Sequence, residues 1–298
     1  MSQPTSPGEP SALVCYRHPN RPTYVRCQRC GRAICGECQT PAPVGFICPE
    51  CMRQQRATAP RTKSAFLTRF TGPRQPTVTY VIIGICILVF IAQWVTGLGN
   101  GPVTSSLWYA GIYGYPNGAV VQTSQGAVLA SFEPWRMITT AFVHANILHI
   151  ALNMYTLWIF GIVLEPMLGR VRYGVLFVLS AIAGSVGVYL LDSPVQPVVG
   201  ASGAIFGMMA ALLIIQRHLG GPITQLLVLV GINLVISFLP GFSIAWQAHV
   251  GGLVGGALVG LIYTQTRARS RRALQVALLV VLAVLLVLVG SWHVFAGA

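Results

Sequence analysis

The sequence predicts an all-α polytopic membrane protein that begins with a small cysteine-rich module. The chain has 298 residues, of which 54% are hydrophobic and only 8% are charged, whereas a soluble domain usually carries about a quarter charged residues. The apolar residues form several runs that are long enough to cross a bilayer. Seven of the eight cysteines lie before residue 52, which distinguishes this part of the chain from the rest.

The positive charge of the chain accompanies the apolar runs. The formal net charge is +13 at pH 7, and the arginines cluster in short flanks of those runs and in the cysteine-rich module. Basic flanks are typical of membrane topology signals and of contact with anionic lipid. We therefore expect the lipid bilayer to be the partner of these charges and expect no nucleic acid.

The part before the apolar runs divides into three segments. Residues 1–12 are rich in Pro and Ser and are predicted to be disordered. Residues 13–53 form the cysteine-rich module, and residues 54–76 form a basic linker next to the membrane. Because the first long apolar run begins only near Thr77, we expect no cleaved signal peptide.

The cysteine-rich module has the ligand spacing of a zinc-binding domain. Its candidate ligands form four pairs with two residues between the partners: Cys15 and His18, Cys27 and Cys30, Cys35 and Cys38, and Cys48 and Cys51. Eight ligands suffice for two tetrahedral zinc ions, and a single zinc ion with spare thiols is the alternative. The spacing resembles that of B-box-type zinc fingers, which implies that the first pair joins the third and the second joins the fourth.

Metal is expected to supply much of the stability of this module, because so short a segment cannot be stable through its core alone. Its arginines suit an acidic or lipid partner, or a cytoplasmic protein, although a solvated face is the simpler interpretation. These arginines are Arg17, Arg21, Arg26, Arg29 and Arg32. The remaining cysteine, Cys86, lies in the first apolar run and is expected to be a buried apolar residue.

Seven apolar segments approach the roughly 20 residues that a transmembrane helix needs. They cover residues 78–95, 147–164, 173–191, 202–216, 223–239, 244–263 and 274–289. The first six make a core over residues 77–265, and the seventh is an additional helix within residues 273–292. Residues 97–145 are rich in Gly and aromatic residues and are predicted to form a loop at the membrane interface.

The positive charges also predict the orientation of the spans. Basic residues precede the first span and lie in the second-to-third, fourth-to-fifth and sixth-to-seventh loops, while the opposite loops hold only Arg136. The positive-inside rule then places the N-terminus in the cytoplasm and the C-terminus outside, in a multi-pass protein of the cell membrane. Disulfides are not expected in that cytoplasmic module.

Three polar residues lie at a similar depth in three spans that run in the same direction. Counted from the cytoplasmic end, Asn153, Ser202 and His249 are about 22–27 Å above it, in the outer third of the bilayer. His149 lies four residues before Asn153 and therefore on the same helix face, whereas His144 lies at the mouth of that helix. Polar groups inside a membrane are costly and commonly mark a functional site.

These residue types fit acyl transfer by a serine nucleophile. Ser202 is the candidate nucleophile, and His249 is the base that takes its proton and returns it to the leaving amine. Asn153 and His149, together with the backbone N–H of Ser202, are candidate donors to the oxyanion.

No third member of a catalytic triad is evident in the sequence. Glu165 is about 18 Å deeper than Asn153, and Glu133 and Asp192 lie in external loops. We therefore predict a Ser–His dyad.

Glycines on two spans favour the close helix approach that this dyad needs. Gly203 and Gly207 form a small-xxx-small pair on the fourth span, and Gly252 and Gly256 share one stripe with His249 on the sixth.

Together these motifs resemble those of rhomboid intramembrane serine proteases. The matching residues are Trp135 and Arg136, His144 through His149 to Asn153, Gly200-Ala201-Ser202-Gly203, Glu165-Pro166-Met167-Leu168-Gly169 with Arg172-Tyr173, and Ala248-His249 with Gly252 and Gly256. The resemblance covers about residues 77–263 and implies a six-helix rhomboid core with an extra C-terminal helix. It also implies cleavage of membrane-anchored substrates in or beside their transmembrane segment, usually after a small side chain and without a cofactor for catalysis.

The resemblance further implies roles for individual residues. Ser202 and His249 become the dyad, and His149, Asn153 and the Ser202 amide become the oxyanion site. Trp135 and Arg136 become structural residues of the first loop. Many rhomboids have Tyr four residues after the serine, stacked on the histidine; here Phe206 keeps the aromatic face and lacks the hydroxyl.

Three other functions fit parts of the sequence. A catalytically inactive rhomboid-like scaffold that binds transmembrane helices would need neither Ser202 nor His249, and both are present. A transporter would need paired charges and broken helices near the midplane, which the sequence lacks. A zinc metalloprotease built on His144 and His149 would need both histidines on one helix face and a glutamate after the first. The sequence meets neither condition.

Overall fold

The computed structural model describes residues 13–42, 44–58, 75–99, 101–124, 126–238 and 244–296. The chain divides into two compact units, Met1–Thr68 and Arg69–Ala298. The predicted disordered segment 1–12 lies outside the described residues, as does most of the predicted linker 54–76.

The N-terminal unit combines short strands with one helix. Strand β1 (Leu13–Val14) pairs with β2 (Pro22–Thr23), and β3 (Thr40–Pro41) pairs with β4 (Phe46–Ile47), both antiparallel. Helix α1 (Pro49–Thr58) follows, so residues 54–58 continue a helix where the sequence suggested the start of the linker. The buried core consists mainly of cysteines, with Ile34 and Ile47 as its aliphatic members.

Helices form most of the second unit. Their bounds are α2 Thr77–Thr96, α3 Pro102–Leu107, α4 Arg136–Thr139, α5 Ile147–Leu168, α6 Arg170–Leu191, α7 Ser202–His218, α8 Thr224–Ile236, α9 Trp246–Gln265, α10 Arg272–Gly290 and α11 Trp292–Phe295. Each predicted span corresponds to one helix, with ends that differ by a few residues.

Four helices among the described residues are long and apolar enough to cross a membrane. They are α2, α5, α6 and α10 together with the 3-10 turn before it. The other three predicted spans are α7 with 17 residues, the short apolar helix α8 with 13 residues, and the glycine-rich α9. Helices α7 and α9 pack against α6 and against each other, so much of their surface faces protein and needs less apolar character than a lipid-facing span.

The junction of α5 and α6 illustrates how the sequence sets helix ends. Gly169 has a φ of +81°, a left-handed conformation that glycine adopts without steric cost, and α6 begins at the next residue. One turn before it, the buried carboxylate of Glu165 accepts hydrogen bonds from the backbone N–H groups of Val78 and Thr79 and from the Thr79 hydroxyl. Glu165 therefore caps the start of α2.

The predicted interfacial loop is an ordered segment. It contains α3, the 3-10 turns Gly111–Gly114 and Thr140–Phe142, helix α4, and a hairpin of β5 (Val120–Thr123) and β6 (Gly126–Leu129) that the sequence analysis did not anticipate.

Arg136 anchors this loop segment. Its guanidinium is buried and bonds the Ser105 and Trp108 carbonyls and the Glu133 carboxylate. These contacts fit the structural role that the resemblance implies for Arg136.

The additional C-terminal helix is attached at both ends. At its start, Gln275 donates to the Thr266 hydroxyl at 2.7 Å, and at its end Gly290 packs against the Met137 side chain. Just beyond it, His293 hydrogen-bonds the Tyr189 hydroxyl and stacks on Tyr115, with 4.0 Å between ring centroids.

Candidate active site

Ser202 is the first residue of α7, a position set by a sharp turn before it. Gly200 has a φ of +122° and donates its N–H to the Thr140 carbonyl at 3.0 Å. The backbone N–H of Ser202 lies in the first helical turn, where no intrahelical carbonyl is available. Ser202 itself is partly exposed.

His249 of α9 meets this hydroxyl. The His249 Nε2 atom lies 2.8 Å from Ser202 Oγ, and the histidine is buried, with 5% of its surface exposed. The imidazole stacks on Phe206, with 4.1 Å between centroids and 17° between planes. The aromatic face expected at Phe206 is therefore in place, and the geometry suits proton transfer from the serine to the histidine.

Glycines allow the backbones of α7 and α9 to touch. A Cβ atom on Gly252 would overlap the carbonyl oxygen of Gly203, and one on Gly256 would overlap that of Gly207. These are the four glycines that the sequence analysis selected. Their lack of side chains sets the short distance between the two helices that carry Ser202 and His249.

His149 and Asn153 lie four residues apart on α5 and therefore share one face of that helix. His149 Nδ1 accepts the N–H of Ala145 at 3.4 Å, so its proton belongs on Nε2. A Cβ placed on Gly200 would lie 2.7 Å from His149 Nε2 and 3.8 Å from Ser202 Oγ. Gly200 therefore keeps open a space that borders both the His149 donor and the serine hydroxyl.

Asn153, one turn further along α5, is buried. One of its amide hydrogens goes to the His149 carbonyl at 2.8 Å, and its Oδ1 has no hydrogen-bond partner among the described residues. His144 precedes α5, fully buried, with its ring 5.2 Å from that of His149.

One residue at this site was not predicted from the sequence. Ser237, just after α8, lies 2.7 Å from His249 Nδ1 and is buried. Its only sequence signal is a hydroxyl at the end of an apolar run. The three carboxylates weighed from sequence bond other groups: Glu133 bonds Arg136, Glu165 caps α2, and Asp192 accepts from the Ser193 N–H.

The N-terminal unit holds two clusters of metal-ligand atoms. Cys15, His18, Cys35 and Cys38 have their ligand atoms within 4.8 Å of one another, and so do Cys27, Cys30, Cys48 and Cys51. The His18 Nδ1 atom lies 3.3 Å from Cys35 Sγ, and Cys30 Sγ lies 3.8 Å from Cys48 Sγ. A tetrahedral zinc ion with ligands at about 2.0–2.3 Å requires edges of about 3.5–3.8 Å, so both clusters have the size of a zinc site.

Backbone hydrogen bonds favour the thiolate form of Cys15 and Cys27, whereas burial and neighbouring cysteines raise the pKa of Cys38 to about 11. Burial raises the pKa of Cys15, but hydrogen bonds from the backbone of Cys35, Arg17 and His18 outweigh burial and lower it to about 6. Thiolates are the form of cysteine that binds metal.

Comparisons with known proteins place the helical unit. The Rhomboid domain model matches residues 131–266, a range that includes His149, Asn153, Ser202 and His249. A Bacillus subtilis (strain 168) protein whose name contains the words rhomboid protease, YdcA, is 32% identical over 146 residues, which cover 47% of this chain and 73% of YdcA. The chain belongs to the rhomboid family.

Two longer relatives extend the comparison. Rhomboid protease GluP of Bacillus subtilis (strain 168) is 32% identical over 220 residues, covering 70% of this rhomboid and 40% of GluP. RHOMBOID-like protein 6, mitochondrial, of Arabidopsis thaliana is 36% identical over 146 residues, 45% of each chain. This rhomboid thus spans less than half the length of either relative.

Proposed function

We propose that this rhomboid is a serine endopeptidase that cleaves membrane-anchored proteins in or near their transmembrane segment. The observation that carries the proposal is the 2.8 Å contact between Ser202 Oγ and His249 Nε2 at the start of α7. Family membership supports the same reaction, because GluP is named as a rhomboid protease. Catalysis would need no metal or other cofactor.

In the first half of the reaction, Ser202 Oγ attacks the scissile carbonyl carbon while His249 Nε2 takes the hydroxyl proton. In this proposal, the oxyanion that forms accepts hydrogen bonds from the Ser202 N–H, from His149 Nε2–H and from the second amide hydrogen of Asn153. His149 Nε2 and Ser202 Oγ border the space that Gly200 keeps open. Collapse of the intermediate breaks the C–N bond, and His249 gives its proton to the leaving amine.

In the second half, water hydrolyses the acyl-enzyme. His249 Nε2 takes a proton from the water as it attacks the ester carbonyl, and the same donors hold the second oxyanion. The proton then returns to Ser202 Oγ as the product acid leaves. Partial exposure of Ser202 supports access of both substrate and water to this position.

The orientation of the spans and the metal are further parts of the proposal. The arginine distribution supports a cytoplasmic N-terminus and an extracytoplasmic C-terminus, which places Ser202 toward the outer surface. The two ligand clusters support two structural zinc ions in the N-terminal unit. We also propose that this unit recruits a cytoplasmic protein or lipid partner through its arginines.

The test is active-site labelling of the full-length protein in lipid nanodiscs with a fluorophosphonate probe. Wild type should label, while Ser202→Ala and His249→Gln should not. Ser106→Ala is the matched control, because Ser106 is an exposed α3 serine whose hydroxyl bonds the nearby Val103 carbonyl. It should label at the wild-type rate.

A membrane-proteome comparison between wild type and Ser202→Ala then identifies substrates. Fragments cut beside transmembrane segments should appear only with wild type. If wild type is not labelled but still binds transmembrane helices, the protein is the inactive scaffold and not a protease.

A further inference from the structure

We propose that Ser237 is a positioning residue that fixes the protonation of His249, an inference that rests on the proposed function. The Ser237 Oγ atom lies 2.7 Å from His249 Nδ1, while Ser202 Oγ lies 2.8 Å from Nε2 on the other side of the ring. Ser237 is buried, with 4% of its surface exposed. Each nitrogen of the imidazole therefore bonds a different serine.

The end of α8 decides which way the Ser237 hydroxyl points. The backbone N–H of Ser237 bonds the Leu234 carbonyl at 3.1 Å, so it does not serve the Asn233 carbonyl as in a continued α-helix. Instead, Ser237 Oγ lies 2.9 Å from the Asn233 carbonyl oxygen. A carbonyl oxygen only accepts, so the hydroxyl proton goes to Asn233.

This arrangement selects one tautomer of His249. A hydroxyl has a single proton, and Ser237 uses it in the hydrogen bond to the Asn233 carbonyl. Ser237 Oγ therefore offers a lone pair to the imidazole. His249 Nδ1 must then carry the hydrogen and donate it. In the neutral ring, Nε2 is left with its lone pair toward Ser202, which is the form that a general base needs.

A hydroxyl suits this position because the site lies among apolar helices. A carboxylate here would be a buried charge without a cationic partner among the described residues, which is costly. A hydroxyl stays neutral when His249 becomes positively charged, and its oxygen still accepts the Nδ1–H bond. Since this hydrogen bond gains strength when the imidazole becomes charged, by an amount similar to the worth of one neutral hydrogen bond, its loss is expected to slow the reaction by about three- to tenfold.

The kinetic test compares labelling of Ser202 by the fluorophosphonate probe in three variants of the full-length protein in nanodiscs. Ser237→Ala should lower the maximal labelling rate by about three- to tenfold with an unchanged half-saturating probe concentration. Ser237→Thr keeps a hydroxyl and should restore most of the rate. Thr96→Ala is the matched control, because the exposed Thr96 on α2 also bonds a carbonyl four residues back.

The spectroscopic test needs neither probe nor substrate. In protein labelled with ¹⁵N-histidine, the His249 signal, identified by its loss in His249→Gln, should show a proton on Nδ1 and none on Nε2. In Ser237→Ala a fraction with Nε2–H should appear.

Two results would overturn the role of Ser237: an Nε2–H tautomer in wild type, or wild-type labelling by Ser237→Ala. Failure of wild type to label would instead overturn the protease proposal, and the tautomer measurement would still decide the role of Ser237. Rescue by Thr separates positioning from a general loss of packing.

Discussion

Replacing Gly200 by alanine tests whether the space between His149 and Ser202 is needed for chemistry. The added Cβ would lie 2.7 Å from His149 Nε2 and 2.8 Å from its Cε1. Ordinary contact requires about 3.5 Å, so the imidazole must retreat by roughly 0.8 Å. The φ of +122° adds backbone strain of about 1–3 kcal/mol for any residue with a side chain.

These effects translate into separate losses of activity and stability. A displacement approaching 1 Å in a catalytic arrangement costs about a hundredfold in rate, so fluorophosphonate labelling of Ser202 should slow by about 30- to 100-fold. Strain and contact together should lower the melting temperature by about 3–10 °C. Labelling kinetics and a thermal-shift assay measure the two losses on the same sample.

Two other glycines separate the causes. Gly118 also has positive φ, +78°, and Gly84 lies within α2; a Cβ on either would meet nothing within 4 Å. Gly118→Ala should therefore lose stability by about 1–2 kcal/mol through strain and keep the labelling rate, while Gly84→Ala should leave both unchanged or raise stability slightly. Wild-type labelling by Gly200→Ala would refute the importance of this space.

Three further predictions concern helix packing, capping and metal. Gly252→Ala should abolish labelling with helical circular dichroism preserved, because its Cβ overlaps the Gly203 carbonyl; retained labelling would show that the α7–α9 distance is not critical. Glu165→Gln should lower stability by about 1–3 kcal/mol in a thermal-shift assay, because three hydrogen bonds lose their charged acceptor; an unchanged melting temperature would count against the cap. Elemental analysis should find two zinc ions per chain, one in Cys27→Ser and two in the control Cys86→Ser; a single zinc ion in wild type would favour the one-site alternative.

The helices were the most predictable part of the fold, because a span in lipid must be a continuous apolar run. Length and hydropathy located α2, α5, α6 and α10 directly. The buried helices α7 and α9 were also found, although their glycines lower their hydropathy. Their glycine spacing predicted in addition that the two helices pack closely, since small residues at such intervals indicate close packing.

Contacts between distant residues were less predictable. The sequence correctly excluded Glu165 from the site. It did not reveal the hydrogen-bond partners of Glu165, which lie 86 and 87 residues away on α2. The β5–β6 hairpin was missed because four-residue strands within a glycine-rich loop carry little periodic signal.

Ser237 shows why part of the site could not be predicted. A serine at the end of a membrane helix usually bonds its own backbone, and Ser237 does so through Asn233. Its second contact, with His249, depends on how α8 ends and how α9 lies beside it. Sequence spacing fixes neither of these, so only the structure reveals the pair.

The attachment of the C-terminal helix matters for anyone who shortens this protein. Residue 266, where the Rhomboid domain match ends, looks like a natural place to stop. A chain that ends there would lack Gly290, which packs against Met137. The Thr266 hydroxyl would lose its bond to Gln275, and the Tyr189 hydroxyl would lose its bond to His293. The thermal stability of the minimal family domain is therefore expected to be lower than that of the whole molecule.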